Sequence, residues 1–182
     1  MSFCVWITGM PGSGKTTIAG ELEAVLSASG LEVVTLNLDQ LRKILTPEPE
    51  YTDEERALVY RFLAAMAQIL VERAGKNVII DATGNRRAFR GLARRLIPEF
   101  AEIYVACALE TCQRREASRE AGLVERNLYR RASEGTLKGK MPGVTVPYEE
   151  PKAPEVRVDS DRLSPRESAE RIAAYIKSRW TG

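Results

Sequence analysis

A three-layer α/β fold on a parallel sheet is what the sequence predicts, and three observations predict it. Short apolar, β-branched runs recur at Phe3–Thr8, Val33–Leu38, Asn77–Ala82, Ile103–Ala108 and Glu155–Asp159. They are apolar on both faces, as strands covered by helices on each side must be. Helical patterns separate them, the alternation that parallel sheets require. A glycine-rich stretch, Gly9-Met10-Pro11-Gly12-Ser13-Gly14-Lys15-Thr16, joins the first run to the first helical pattern.

Each helix has local causes. Lys15–Ser29 sets Ile18, Leu22, Val25 and Leu26 on one face, and Gly30 ends it. Thr52–Ala74 opens with Thr52-Asp53-Glu54-Glu55, a capping box with acids in the first turn, and Gly75 follows it. Asn85–Ile97 is basic and amphipathic, and Pro98 stops it. Ser164-Pro165-Arg166-Glu167 starts a last helix reaching Trp180, with proline at its first position. Thr111–Glu150 is rich in Arg, Gly and Pro and crosses no clear strand. It reads as a helical lid and loop, about 111–148, within one domain spanning 1–182.

Composition removes several chemistries. The 182 residues include no histidine. No Ser-His-Asp or Cys-His triad can form, and no imidazole can ligate zinc. Acid–base work falls to carboxylate, lysine, thiol or water. Hydrophobic residues are 44% and charged residues 29%, the balance of a globular chain. The apolar runs are too short to span a bilayer. The N-terminus has no basic region before its apolar run, so no signal peptide is expected. Three cysteines, Cys4, Cys107 and Cys112, read as reduced thiols of a cytoplasmic protein. Net charge is only +2, yet 11 of 20 Arg lie between Arg86 and Arg131 against six acids. Arg grips phosphate and sulfate in bidentate fashion.

The glycine-rich stretch matches G-x-x-x-x-G-K-[ST] at every specified position, between a strand and a helix. Such a loop turns successive backbone N–H groups toward phosphate oxygens, where the helix N-terminus adds its positive end. Proline itself brings no N–H. The residues expected to hold ATP are Gly9, Pro11, Gly12, Ser13, Gly14, Lys15, Thr16 and Thr17. Lys15 should bridge the β- and γ-phosphates, and Thr16 should place its hydroxyl on Mg²⁺. No Asn-Lys-x-Asp sequence for guanine is present, and the compact chain with a basic lid fits a small kinase.

Two strand ends carry further candidates, because ligands in such sheets bind at the carboxyl ends of strands. Asp39, after the second strand, can align or deprotonate an acceptor hydroxyl, hold a metal-bound water, or cap the helix that follows. Arg42 lies three residues on and can grip an anionic acceptor. Asp81 ends the third strand at the place of a Mg²⁺-organising carboxylate, or caps the next segment.

These residues resemble the adenylylsulfate kinase family. Trp6-Ile7-Thr8-Gly9 through Thr16 is similar to the family's start. The likeness resumes at Leu109-Glu110-Thr111-Cys112-Gln113-Arg114-Arg115 and Asn127-Leu128-Tyr129-Arg130-Arg131-Ala132. It ends in Leu137-Lys138-Gly139, Gly143-Val144 and Pro147-Tyr148-Glu149-Glu150-Pro151, the most specific part. The resemblance implies a P-loop kinase with a central five-stranded parallel sheet, using ATP and Mg²⁺. It implies γ-phosphoryl transfer to the 3′-hydroxyl of adenylylsulfate. It implies Lys15 and Asp39 as catalytic, Asp39, Arg42, Arg56, Thr83 and Lys138 on the acceptor, and Arg115 stacked on adenine. Thr16 and Asp81 serve the metal.

Departures concentrate on the acceptor side. The family's Asp-Gly-Asp is Asn37-Leu38-Asp39, so its first carboxylate is missing, and Asp81 is expected to replace it. Asp-Arg-x-x-Asn is Glu55-Arg56-Ala57-Leu58-Val59. Ile-Ser-Pro is Ala82-Thr83-Gly84, so Asp81-Ala82-Thr83 resembles small kinases of nucleic-acid ends, aminoacyl-tRNA or metabolites. An insertion is expected around Ala117–Arg126. Three rivals therefore stand beside adenylylsulfate kinase: a relative acting on another nucleotide-linked or sugar-like acceptor, an RNA or DNA end kinase, and a nucleotide-binding regulator. Family members are often homodimers, but no sequence patch marks such an interface. Sulfate assimilation and a specialised biosynthetic role both remain open.

Overall fold

The computed structural model describes residues 1–50, 52–118 and 127–181. Five strands form one parallel sheet: β1 Cys4–Thr8, β2 Val33–Asn37, β3 Asn77–Asp81, β4 Phe100–Ala106 and β5 Val156–Asp159. Their order is β2-β3-β1-β4-β5. The helices are α1 Lys15–Ser27, α2 Leu38–Leu45, α3 Asp53–Glu72, α4 Arg87–Leu96, α5 Leu109–Ala117, α6 Leu128–Ser133 and α7 Pro165–Trp180.

Period-two alternation divides each strand between two cores. Phe3, Val5 and Ile7 of the first strand segment join Ile18, Leu22 and Leu26 of α1 and Ile172 and Ile176 of α7. Cys4 and Trp6 point the other way, with Leu63 and Ala67 of α3 and Phe89 and Ala93 of α4. This is the three-layer arrangement: α1 and α7, sheet, α3 and α4.

Strand ends shifted from the sequence reading by small amounts with definable causes. The second strand stops at Asn37 because Asn37 caps α2, its Oδ1 accepting the Gln40 N–H at 3.0 Å. Leu38 is therefore helical. The fourth strand starts earlier, at Phe100, paired with Cys4 of β1. The basic helix begins at Arg87, where the Glu149 carboxylate accepts the Arg87 N–H at 2.8 Å. Thr52 caps α3 as expected, but the Glu55 carboxylate also takes the N–H of Glu50, at 2.6 Å.

Ser164 forms a full capping box with Glu167 at the start of α7. Ser164→Ala should cost about 1 kcal/mol, the usual worth of an N-cap. A drop in chemical-denaturation midpoint at unchanged slope would register it, and no drop would contradict the local origin of this helix.

The lid segment contains α5, α6 and a loop crossed by one isolated bridge, Pro142 to Val146. Cys112, Tyr129, Ala132 and Met141 give it a small core of its own, packed on Met10 of the phosphate loop. The insertion expected around Ala117–Arg126 falls mainly on 119–126, outside the described residues. No helix among the described residues is long and apolar enough to cross a membrane.

Candidate active site

The sheet order places the phosphate loop at the switch point, because β1 lies between β3 and β4. Crevices in open parallel sheets form there. Gly9–Gly14 follows the carboxyl end of β1 and runs into α1. Two glycines are fixed by geometry. At Gly12, with φ at 82°, a Cβ would lie 2.3 Å from the Cys112 carbonyl oxygen. At Gly84, with φ at 51°, a Cβ would meet Trp6 at 2.9 Å. Both loops approach neighbours too closely for a side chain.

The loop's polar groups fit a bound phosphate chain. Ser13 Oγ is buried with no hydrogen-bond partner among the described residues. A buried hydroxyl left so is costly unless a ligand completes it. A Cβ on Gly14, the residue before α1, would meet nothing within 4 Å. Lys15 is buried, and its Nζ donates to the Met10 carbonyl at 2.9 Å, folding the ammonium back over the loop. Thr16 and Thr17 are exposed in the first turn of α1. Thr16 and Asp81, the residues expected at the metal, offer the hard oxygen donors that Mg²⁺ takes. Among the described residues no cluster of three or more acidic or thiol groups exists. Magnesium ordinarily takes one or two carboxylates and completes its shell with phosphate and water.

Asp81 ends β3 in register with Ile7 of β1 and Asn37 of β2. It is 4% exposed, and its Oδ2 accepts from Asn37 Nδ2 at 2.6 Å. Asp39 stands exposed in the first turn of α2. Of the roles left open for Asp39, capping is removed, because Asn37 is the cap.

The segment after Asp81 is held at nearly every backbone group. Trp6 Nε1 donates to the Ala82 carbonyl at 2.9 Å, and Thr8 Oγ1 to the Thr83 carbonyl at 2.6 Å. The Gly84 N–H donates to the Tyr60 hydroxyl at 2.9 Å, and Arg90 Nη1 donates to the Gly84 carbonyl. Thr83 is thus set on a rigid shelf beside the phosphate loop. Tyr148 closes that shelf, its hydroxyl 2.9 Å from Thr8 Oγ1. Burial pushes the Tyr148 hydroxyl up to about 12, so it stays neutral and able to donate.

Arg56 lies on the buried side of α3 and reaches the same crevice. Its Nη2 donates to the Lys140 carbonyl at 2.9 Å, and Nη1 contacts Asn85 Oδ1 at 3.5 Å. Both acceptors are neutral. Burial lowers its affinity for the proton, yet guanidinium retains its charge at any ordinary pH. Arg56 is 9% exposed, and a buried cation on neutral acceptors can take an anionic partner.

The other basic candidates carry partners or exposures of their own. Arg42 faces Glu55 at 3.5 Å, both side chains mostly buried. An incoming anion would have to exchange with that carboxylate. Arg115 is anchored to the loop after β5, donating to the Ser160 carbonyl at 2.8 Å and the Ser160 hydroxyl at 3.1 Å. This sets it at the carboxyl end of the sheet, at the root of the lid. Lys138 is exposed. Lys140, two residues on, instead holds Asp53 at 2.8 Å and offers its carbonyl to Arg56. Its hydrogen bond holds the Asp53 carboxyl below its ordinary range.

Sequence reasoning missed Asn85, Arg90, Lys140 and Ser160. Arg90 had a visible mark: it falls on the apolar face that Phe89, Ala93 and Ile97 define. The others carry no local pattern. Tyr129 ties the lid to the phosphate loop, its hydroxyl donating to the Pro11 carbonyl at 2.7 Å.

Known proteins share this organisation. A probable adenylyl-sulfate kinase of Archaeoglobus fulgidus is 38% identical over 162 residues, 89% of this chain and 98% of that relative. One from Pyrococcus abyssi is 36% identical, covering 96% of this chain and 95% of its own. The solved structure of the Mycobacterium tuberculosis APS kinase CysC, in complex with AMPPNP and APS, superposes with a TM-score of 0.83 at 29% identity. It covers 97% of this chain and 98% of that one. The profile of the adenylylsulphate kinase family matches residues 1–159. By sequence and by fold, this chain belongs to the adenylylsulphate kinase family.

Proposed function

We propose that this protein transfers the γ-phosphoryl group of ATP to the 3′-hydroxyl of adenylylsulfate. One observation carries the reading: the chain combines a buried Arg56 guanidinium bonded to neutral carbonyls with a phosphate loop whose Ser13 hydroxyl is unsatisfied among the described residues. Donor and acceptor anions each find a prepared place, and the relatives above are named for this reaction.

When bound, Mg²⁺ and ATP supply the transferable phosphoryl group and a counter-charge to it. The chain's own work is positioning and electrostatics, since phosphoryl transfer needs little covalent help. Lys15 leaves the Met10 carbonyl for the phosphates, while the Gly12–Thr16 N–H groups hold them in place. Thr16 and Asp81 face the metal. Asp39 accepts from the acceptor hydroxyl and aligns it. Arg56 holds the acceptor's anionic part, with Arg42, Thr83 and Lys138 around it. Arg115 covers the adenine. The 111–148 segment closes and expels water, which strengthens each of these interactions.

Arg56→Ala should raise KM for adenylylsulfate by about 10- to 100-fold, the worth of one charge-assisted contact. KM for ATP should stay within threefold. Steady-state kinetics with each substrate varied checks this, and equal effects on both substrates would remove Arg56 from the acceptor side.

A kinase for another nucleotide-linked or sugar-like acceptor is the second reading. Val59 favours it, being 2% exposed in the core where the family has a hydrogen-bonding residue. An RNA or DNA end kinase is less supported. Among the rings beside arginines, Phe89, Phe100 and Tyr104 are buried in packing rather than offered to bases. Free thiols at Cys4, Cys107 and Cys112 accord with a cytoplasmic setting. Homodimerisation would use the exposed Leu58, Phe62 and Ile69 along α3.

A further inference from the structure

We propose that positions 37 and 81 act as one carboxylate–amide unit, in which Asn37 is the positioning residue for both carboxylates of the site. The inference rests on the kinase reading only in that a divalent cation arrives with nucleotide.

The strand register brings the two residues together, since Asn37 and Asp81 are partners at the carboxyl ends of β2 and β3. The Asn37 side chain is used at both ends. Its Oδ1 accepts the Gln40 N–H at 3.0 Å and starts α2, whose first turn carries Asp39. Its Nδ2 donates to Asp81 Oδ2 at 2.6 Å. The chemistry admits one orientation. A flipped amide would set oxygen against carboxylate oxygen and N–H against N–H. One amide therefore fixes the entry of the helix bearing Asp39 and the rotamer of Asp81, leaving Asp81 Oδ1 for the cation's water shell.

Only an amide does both tasks. A carboxylate at 37 would cap α2 equally well, because Asp and Asn are comparable N-caps. It would also place two like charges in hydrogen-bond contact, with no donor between them. The resemblance noted above fits this picture: the carboxylate absent from Asn37 stands on the neighbouring strand, at the paired register position. The unit needs one carboxylate and one amide, and the two are interchangeable between the strands.

The test uses Asn37→Asp, Asp81→Asn and the exchange of both. Each single variant should lower kcat by about 10- to 100-fold, the usual effect of removing a group that orients a metal-site ligand. KM for ATP should change little. The double variant should recover to within about threefold of wild type. A second readout needs neither acceptor nor turnover: Mn²⁺ binding to the ADP complex, followed by electron paramagnetic resonance. Asp81→Asn should weaken Mn²⁺ binding about 10-fold, and the exchange should restore it. Thermal melts without metal check folding, and Asn37→Asp should keep one cooperative transition at a lowered midpoint, because the cap is kept while the two carboxylates repel. Single losses that multiply in the double variant would overturn the proposal, as would Mn²⁺ affinity indifferent to position 81. Because the Mn²⁺ arm contains no adenylylsulfate, a wrong acceptor would leave it readable.

Discussion

Lys15→Ala is expected to lower turnover by about two to three orders of magnitude, the loss seen when one preorganised donor to developing charge is removed. The fold should persist. Lys15 donates to the Met10 carbonyl within its own loop. The ammonium sits where the phosphate loop, the α1 N-terminus and the lid converge, so its work is electrostatic. Far-ultraviolet circular dichroism and the melting temperature should stay near wild type while kcat collapses. Lys15→Arg should not rescue, because a planar fork cannot occupy the place of a compact ammonium. Full activity in Lys15→Ala would remove the phosphate-loop assignment.

Arg90→Met should have the largest effect on stability. Arg90 is 1% exposed and holds four elements together. It pairs with Glu102 on β4, donates to the Gly84 carbonyl, and donates to the Glu149 carbonyl at 2.6 Å. Its guanidinium also lies 5.8 Å from the centre of the Tyr148 ring. Methionine keeps the length of the stem but leaves Glu102 with a weaker partner and the two carbonyls with none. Breaking a buried pair from one side costs about 3–5 kcal/mol. For a chain of this size that is a fall in Tm of roughly 6–20 °C. The Gly84 shelf and the Pro147–Pro151 segment should loosen first, so adenylylsulfate binding should fail below the melting transition. Calorimetry showing a loss under about 1 kcal/mol would mean that Arg90 is peripheral.

The contrast between Lys15 and Arg90 shows what was legible in the sequence. Lys15 announces itself because its loop is a local motif, eight consecutive residues between a strand and a helix. The five strands were equally legible as short apolar or β-branched runs between helical patterns, although β5 alternates and leaves Arg157 exposed. So were the caps at Thr52 and Ser164, which act within one turn. Arg90 carried only a weak mark, one charge on an apolar face, because its partners lie 12, 6 and 59 residues away. Arg42 was readable as a cation near the crevice, but its partner Glu55 stands 13 residues on, across a helix boundary. That Lys140 would hold Asp53 depended on how the loop after α6 meets α3, and no local pattern sets that. Asp81 was found as a strand-end carboxylate. Its amide partner was hidden until the register of β2 and β3 placed Asn37 against it.

The measurement that bears most directly on function is ATP-dependent ADP release with a panel of acceptors: adenylylsulfate, other nucleotides with a free 3′-hydroxyl, small sugars and 5′-hydroxyl oligonucleotides. Saturable turnover of adenylylsulfate, with a new phosphate ester at the 3′ position by phosphorus NMR, is the expected result. Turnover confined to another acceptor, with adenylylsulfate neither substrate nor competitor, would contradict it.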